Sequence, residues 1–179
     1  DLFLFLFFRC RAAVRFPGSV QHMPSMMQRR GKRGKAMFSG TYHHNIDSKG
    51  RIIIPSRFRE ELGTGFVLTK GLDHCLFLFP MSEWNEFRSK LKAVPLTSRE
   101  GRAFTRYFFA NAVECEMDKQ GRLNIPPVLR EHARIDKEIV SIGVDRRIEI
   151  WSRAEWEKYS MSPELDSELI AEKMEGLGI

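Results

Sequence analysis

The 179 residues include only three cysteines, at positions 10, 75 and 115, and these form neither a Cys-x-x-Cys pair nor a Cys/His cluster. So odd and sparse a count excludes a disulfide framework and a structural zinc site, and fits a reducing, cytoplasmic compartment. Long apolar runs are also missing. Nothing approaches the roughly 18 consecutive apolar residues of a membrane span, so a transmembrane chain is excluded and no membrane partner is expected. There is no phosphate-cradling glycine loop and no sign of a cofactor, a small-molecule substrate or a metal. What is present is enough for a real core: 42% hydrophobic residues and 14 Phe. The length allows one domain, or two small ones sharing a core, and disorder throughout is excluded.

The net charge of +6 is unevenly placed. Asp1 to Ala36 holds eight basic residues and one acid, leaving 21 basic and 22 acidic residues, a net −1, from Met37 onward. Leu2 to Phe8 is apolar, but its arginines follow the run instead of preceding it and no small-x-small cleavage site comes next, so a signal peptide is a poor reading. A basic nucleic-acid-binding arm and a solvated tail are alternatives. The preferred expectation is that 1–36 is a disordered or non-native leader, translated from upstream sequence, with Met37 as the natural start. Within the remainder, Met37 to Lys137 is +4 and Glu138 to Ile179 is −5, so the body is polarised.

The chain repeats itself. DSKGRIIIPSRFRE (Asp47 to Glu60) and DKQGRLNIPPVLRE (Asp118 to Glu131), offset by 71 residues, agree at seven of fourteen positions, far above chance given ordinary residue frequencies. After a one-residue slip the similarity continues, pairing Gly71 with Gly143, Asp73 with Asp145 and Trp84 with Trp156. Each copy is too short to bury a core alone, so the two are expected to complete one another about a pseudo-two-fold axis.

Each copy reads as β-rich. In the first, strands are expected over Phe38 to Ile46, Arg51 to Ile54, Phe66 to Thr69 and Cys75 to Phe79, with a helical turn from Pro55 to Leu62. The second repeats the order: Val113 to Met117, Arg122 to Ile125, a turn over Pro126 to Ala133, Ile139 to Ile142 and Ile148 to Trp151. Short, evenly spaced strands predict a mainly β fold closed into a small barrel, with added helices. Between the copies Ser82 predicts a cap for a helix with Trp84, Phe87, Leu91 and Val94 on one face, stopped by Pro95. Thr97 to Glu100 reads as a capping box opening a second helix, with Phe104, Tyr107 and Phe108 inward and Arg99, Arg102 and Arg106 on another face. In the acidic tail Leu165, Leu169 and Leu177 suggest a short amphipathic helix.

The motif common to both copies is Asp-x-x-x-Arg: Asp47 with Arg51, and Asp118 with Arg122. Such a pair reaching across a Gly50 or Gly121 turn pins loop geometry, which is the purely structural reading. Lys49, Arg57, Arg59, Lys119, Arg130 and Arg134 lie around it, however, and two symmetry-related basic loops on a rigid scaffold suit successive contacts along a duplex. From the residues alone the two readings stand level. Enzymatic readings fail. Two dyad-related Asp residues suggest an aspartic protease, but the Asp-Thr/Ser-Gly sequence is absent. The expected strand pattern sets Cys75 and His74 on opposite faces, and likewise His43 and His44.

These residues also carry a resemblance. MFSGTYHHNIDSKGRIIIPSRFRE, LTSREGRAFTRYFFANAVECEMDKQGRLNIPP and SIGVDRRIEIWSRAEW closely resemble the bacterial MraZ family, made of two SpoVT-AbrB domains, over essentially all of Met37 to Ile179. The resemblance implies a swapped-hairpin AbrB-type barrel, with one repeat over 41–83, a helical connector over 84–111, a second repeat over 112–155 and an acidic helical tail over 156–179. It implies a non-enzymatic, sequence-specific transcriptional regulator that binds double-stranded DNA at repeated sites upstream of the division and cell wall gene cluster. It further implies a ring-shaped homo-oligomer associated with the nucleoid. Carried over residue by residue, Arg51 and Arg122 are expected to contact phosphates or base edges, Lys49 and Lys119 to add electrostatic support, and Asp47 and Asp118 to orient the loops. The loops are asymmetric: Lys49 has Gln120 as its counterpart, and Lys119 has Ser48. An assembly ring with incidental DNA binding is the alternative.

Overall fold

The computed structural model describes residues 37–95 and 97–175. The leader over 1–36 and Leu177 lie outside the described residues. The first copy runs β1 (Phe38–Asn45), β2 (Arg51–Ile53), α1 (Ser56–Leu62), β3 (Gly65–Lys70) and β4 (Leu76–Pro80). Helices α2 (Met81–Lys92) and α3 (Arg99–Phe109) follow. The order then recurs as β5 (Val113–Glu116), β6 (Arg122–Asn124), α4 (Pro127–His132), β7 (Glu138–Asp145) and β8 (Arg147–Ser152), ending in α5 (Arg153–Ser160) and α6 (Ser167–Glu175). Proline sets the start of both short helices: Pro55 precedes α1, and Pro126 and Pro127 open α4, where a missing N–H costs nothing.

The copies interlock strand by strand. One antiparallel sheet has the order β1-β7-β8-β4-β3-β5, and a separate two-stranded ribbon joins β2 to β6. Every pairing either maps onto another when the copies are exchanged (β1 with β7 onto β5 with β3) or onto itself (β4 with β8, β2 with β6). In the two self-mapping pairs the register centres on Phe77 opposite Glu149 and on Ile52 opposite Leu123, which are equivalent positions of the two copies. The pseudo-dyad therefore passes through both contacts.

The sheet is not closed. β1 and β5 are its edges and do not pair with each other, which corrects the expectation of a closed barrel. The physical reason lies in the lengths. β5 has four residues against eight in β1, and the three-residue strands β2 and β6 are spent on each other, so nothing bridges the gap. The short β5 edge carries exposed Glu114 and Glu116, charges that discourage further strand pairing.

Alternation sorts the side chains onto two buried faces. Phe66, Leu68, Leu76, Leu78, Ile139, Ile148 and Ile150 join Ile52, Ile54, Phe58, Leu123, Ile125 and Leu129 in one core beneath the ribbon, α1 and α4. The intervening Val67, Phe77, Phe79, Val140 and Trp151 join Trp84 and Phe108 in a second core under the helices on the opposite face. Because the sheet is covered on both sides, β3 and β4 read as continuous apolar runs.

The connector departs in detail from expectation. α2 starts at Met81 behind Pro80, so Ser82 lies inside it and makes no cap, and Val94 lies beyond its end. The cap of α3 is Ser98, whose Oγ accepts from the Gly101 N–H at 3.0 Å, in place of Thr97. The chain therefore enters α3 one residue later than the capping-box pattern implies, and Gly101 sits close against Val94. Phe108 is buried as expected and Tyr107 half-buried, but Phe104 is 44% exposed. In the tail, Leu165 belongs to a separate 3₁₀ turn, Pro163–Leu165, and Leu169 to α6.

Candidate nucleic-acid interface

Each Asp-x-x-x-Arg segment folds into the same turn. In the first copy the Asp47 N–H donates to the Arg51 carbonyl at 2.8 Å and the Gly50 N–H to the Asp47 carbonyl at 2.9 Å. The carboxylate closes the loop from within: its Oδ1 accepts from the N–H groups of Lys49 and Arg51, both at 2.9 Å, and its Oδ2 from Arg51 Nε at 2.8 Å. In the second copy Asp118 Oδ1 accepts from Gln120 N–H at 2.8 Å and Arg122 N–H at 3.0 Å, and Oδ2 from Arg122 Nε at 2.6 Å. Aspartate suits this position because its short side chain reaches backbone donors two and four residues on while holding a guanidinium. Gly50 and Gly121 take the left-handed conformation, φ 79° and 73°, that completes the turn.

This geometry shapes the charge. Hydrogen bonds from the Arg51 side chain and then its backbone hold the Asp47 carboxyl down at about 2, against an ordinary 3.8. The Arg122 backbone and side chain lower Asp118 in the same way. Both carboxylates stay ionised at neutral pH, and each fixes one edge of an arginine whose side chain remains 28–29% exposed. Exposed ion pairs add little stability, so the chief effect of the pairs is to set the direction in which each guanidinium points.

The turns flank the ribbon. Arg51 lies opposite Asn124 and Ile53 opposite Arg122, which offsets the two arginine Cα atoms by about 7 Å along the strands. Ile52 and Leu123 point into the core, so Arg51, Ile53, Arg122 and Asn124 share the outer face. Lys49 and Lys119 are exposed on the adjoining turns. The structure thus places Arg51 and Arg122 on one face of the ribbon, with Asp47, Lys49, Asp118 and Lys119 exposed on the turns that adjoin it. Two residues that the sequence did not single out, Ile53 and its counterpart Asn124, share that outer face. Ile53 is 54% exposed, the one member of an Ile-Ile-Ile run that register turns outward. With its amide oriented to donate, Asn124 reaches the carbonyls of Lys49 and Gly50 at 3.2 and 3.3 Å. A two-stranded ribbon with arginines on its outer face has the dimensions to enter a major groove, where guanidinium groups pair with guanine edges and phosphates.

Other candidates fall elsewhere. The α3 arginines Arg99, Arg102 and Arg106 belong to a helix packed on the sheet face away from the ribbon, and Arg102 Nη1 donates to the Thr97 carbonyl at 3.0 Å. His74 and Cys75 lie in the turn before β4, with His74 in the left-handed region at φ 60°, and not in a strand as expected; burial pushes the Cys75 thiol far up, leaving it inert as a nucleophile at neutral pH. His44 Nε2 lies 2.8 Å from Ser141 Oγ, while neighbouring His43 is exposed on the other side of β1. Among the described residues no group of three or more His, Cys, Asp and Glu could hold a metal ion, and no helix is long and apolar enough to cross a membrane.

A family model described as that of the MraZ protein matches the chain twice, over residues 37–107 and 108–176. Curated relatives carry the name Transcriptional regulator MraZ. That of Clostridium tetani is 59% identical over 143 residues, 80% of this chain and 100% of its own length. Those of Caldanaerobacter subterraneus subsp. tengcongensis and Moorella thermoacetica are each 57% identical, over 143 and 138 residues, covering 80% and 77% of this chain and 100% and 96% of their own.

Proposed function

The chain belongs to the MraZ family, and from that premise we propose that it is a sequence-specific DNA-binding transcriptional regulator, with the outer face of the β2–β6 ribbon and its two turns as the reading surface. The relatives are named as transcriptional regulators. The observation that carries the proposal is the convergence of Arg51 and Arg122, each held by its own aspartate, on one exposed ribbon with Lys49 and Lys119 beside it. In this reading the arginines contact base edges or phosphates, the lysines add electrostatic attraction, and Asp47 and Asp118 orient the loops. The repeats over 41–83 and 112–155, the connector over 84–111 and the tail over 156–179 are its organising units, and their interleaved pairing is the swapped-hairpin arrangement of an AbrB-type domain made within one chain.

The regulated target is the division and cell wall gene cluster, approached through repeated upstream sites by a ring-shaped homo-oligomer in the cytoplasm, at the nucleoid. Several subunits on several repeats reach high avidity without any single tight contact. Exposed apolar side chains, Leu72 and Phe104 among them, offer surface for subunit contacts.

The test is binding of the full chain to its own upstream region against scrambled DNA of equal length, across a salt series. A regulator prefers its own repeats and loses affinity steeply as salt rises. Equal, weak binding to both duplexes would replace this reading with an assembly ring in which DNA binding is incidental.

A further inference from the structure

We propose that Arg59 and Arg130 are positioning residues that brace the DNA-facing turns across the repeat boundary, the short helix of each copy holding the turn of the other. The two arginines are equivalent, 71 positions apart, on α1 and α4. A Cβ placed on Gly121 would lie 2.5 Å from Cζ and 2.7 Å from Nε of Arg59, and one on Gly50 would lie 3.1 Å from Cζ and 3.3 Å from Nη1 of Arg130. Each guanidinium therefore occupies the space that a side chain would need at the buried glycine of the opposite turn. Glycine meets two demands there: a positive φ and a bare Cα face against which a planar cation can lie.

Hydrogen bonds run the same way across the boundary. The Ile54 N–H donates to the Gly121 carbonyl at 3.0 Å, and the Ile125 N–H to the Gly50 carbonyl at 2.9 Å. Arg59 Nε donates to the carbonyl of that same Ile54 at 2.7 Å, so one residue anchors both the turn and its brace. The second brace is built differently: Arg130 Nε is buried without a hydrogen-bond partner, and the Asn124 amide holds the turn carbonyls. Both arginines are only half-exposed, with part of the guanidinium spent on the turn. Their contribution to DNA recognition is to hold the turns from which Arg51 and Arg122 project, and this part of the inference rests on the DNA-binding reading above.

The experiment uses the full chain with Arg59→Met, Arg130→Met and, as the milder pair, Arg59→Lys and Arg130→Lys. Backbone amide signals of Gly50 and Gly121 are followed by NMR in the free protein, and affinity for the upstream duplex is followed against salt. Arg59→Met is expected to shift the Gly121 signal and spare Gly50, and Arg130→Met to do the reverse. Affinity should fall about three- to tenfold, the value of one or so lost hydrogen-bonding contacts, with the salt slope unchanged and no rescue by lysine. Shifts confined to the glycine of the same copy, or absent from both, would overturn the brace. A slope reduced by about 0.9, the signature of a lost phosphate contact, together with rescue by lysine, would overturn the positioning role in favour of direct contact. If a Met variant does not fold, the Lys variant decides through the same amide signals. Should the wild-type chain show no preference for its own upstream DNA, the DNA reading fails while the amide shifts still decide the brace.

Discussion

The two Asp-x-x-x-Arg turns are alike in what holds them from within and unlike in what they present. Inside each, one carboxylate accepts two backbone N–H groups and one guanidinium, with donor–acceptor distances between 2.6 and 3.0 Å throughout. On the surface the first turn offers Ser48 and Lys49, the second Lys119 and Gln120, and the ribbon beside them offers Ile53 on one strand and Asn124 on the other. Duplication has kept the fastening and let the exposed side chains around it diverge. The scaffold is two-fold, whereas the outer surface of the ribbon and turns is not.

Removing the fastening from both turns tests the shared half of this comparison and should have the largest effect. Asp47→Ala with Asp118→Ala leaves both arginines unoriented, and duplex affinity measured by gel retardation should fall by about two orders of magnitude, as for losing several charge-assisted contacts. The single variants should each lose about tenfold, and equally, since the hydrogen bonding is the same. A large difference between them would mean that one turn alone reads DNA.

Next come the divergent positions. Asn124→Ile removes the amide that holds the Lys49 and Gly50 carbonyls and should cost about three- to tenfold in affinity, the range of a single hydrogen-bonded contact. Ile53→Asn, which makes the ribbon symmetric, should change sequence preference more than affinity, as read by competition among single-base operator variants. Lys49→Ala and Lys119→Ala should each weaken own and scrambled duplexes alike by roughly two- to threefold and lower the salt slope by about 1. A sequence-dependent loss in either would promote that lysine from electrostatic support to base reader.

Acid should separate the turns from the sheet. Burial, helped by the charge of His43, holds His44 at about 4 against an ordinary 6.5. Between those values the unfolded chain binds a proton that the native chain does not, so stability falls as pH drops from 6.5 to 4. Asp47, held at about 2 against 3.8, contributes stability that is complete above 3.8 and is lost only as pH falls further towards 2. Melting temperatures should therefore fall by about 5 °C over the first interval, while the Arg51–Asp47 pair, followed by NMR, stays intact. His44→Leu should flatten that interval without affecting DNA binding at neutral pH.

Much of this was legible in the residues because duplication amplifies local signals. The repeat, the glycine turns, the Asp–Arg pairs and the prolines opening α1 and α4 are local chemistry stated twice. What escaped depends on long-range placement. Closure of the sheet hinges on strand lengths and on β2 and β6 pairing with each other, which spacing does not encode. An Ile-Ile-Ile run hides which isoleucine faces out until register places Ile52 against Leu123. Phe104 follows the helical period of the buried residues yet is exposed, because α3 meets the sheet over a narrower stripe than the pattern implies. Asn124 reads as an ordinary strand residue, and only the approach of the opposite turn gives its amide a task.

The central claim is that Arg51 and Arg122, projected from the fastened turns, give the chain its preference for its own upstream sites. The most direct measurement is the affinity of the Arg51→Ala, Arg122→Ala double variant for that DNA and for scrambled DNA, with oligomer mass followed in parallel. The account predicts an intact oligomer whose two affinities have become equal. Preferential binding to the upstream duplex that persists at wild-type strength would contradict it.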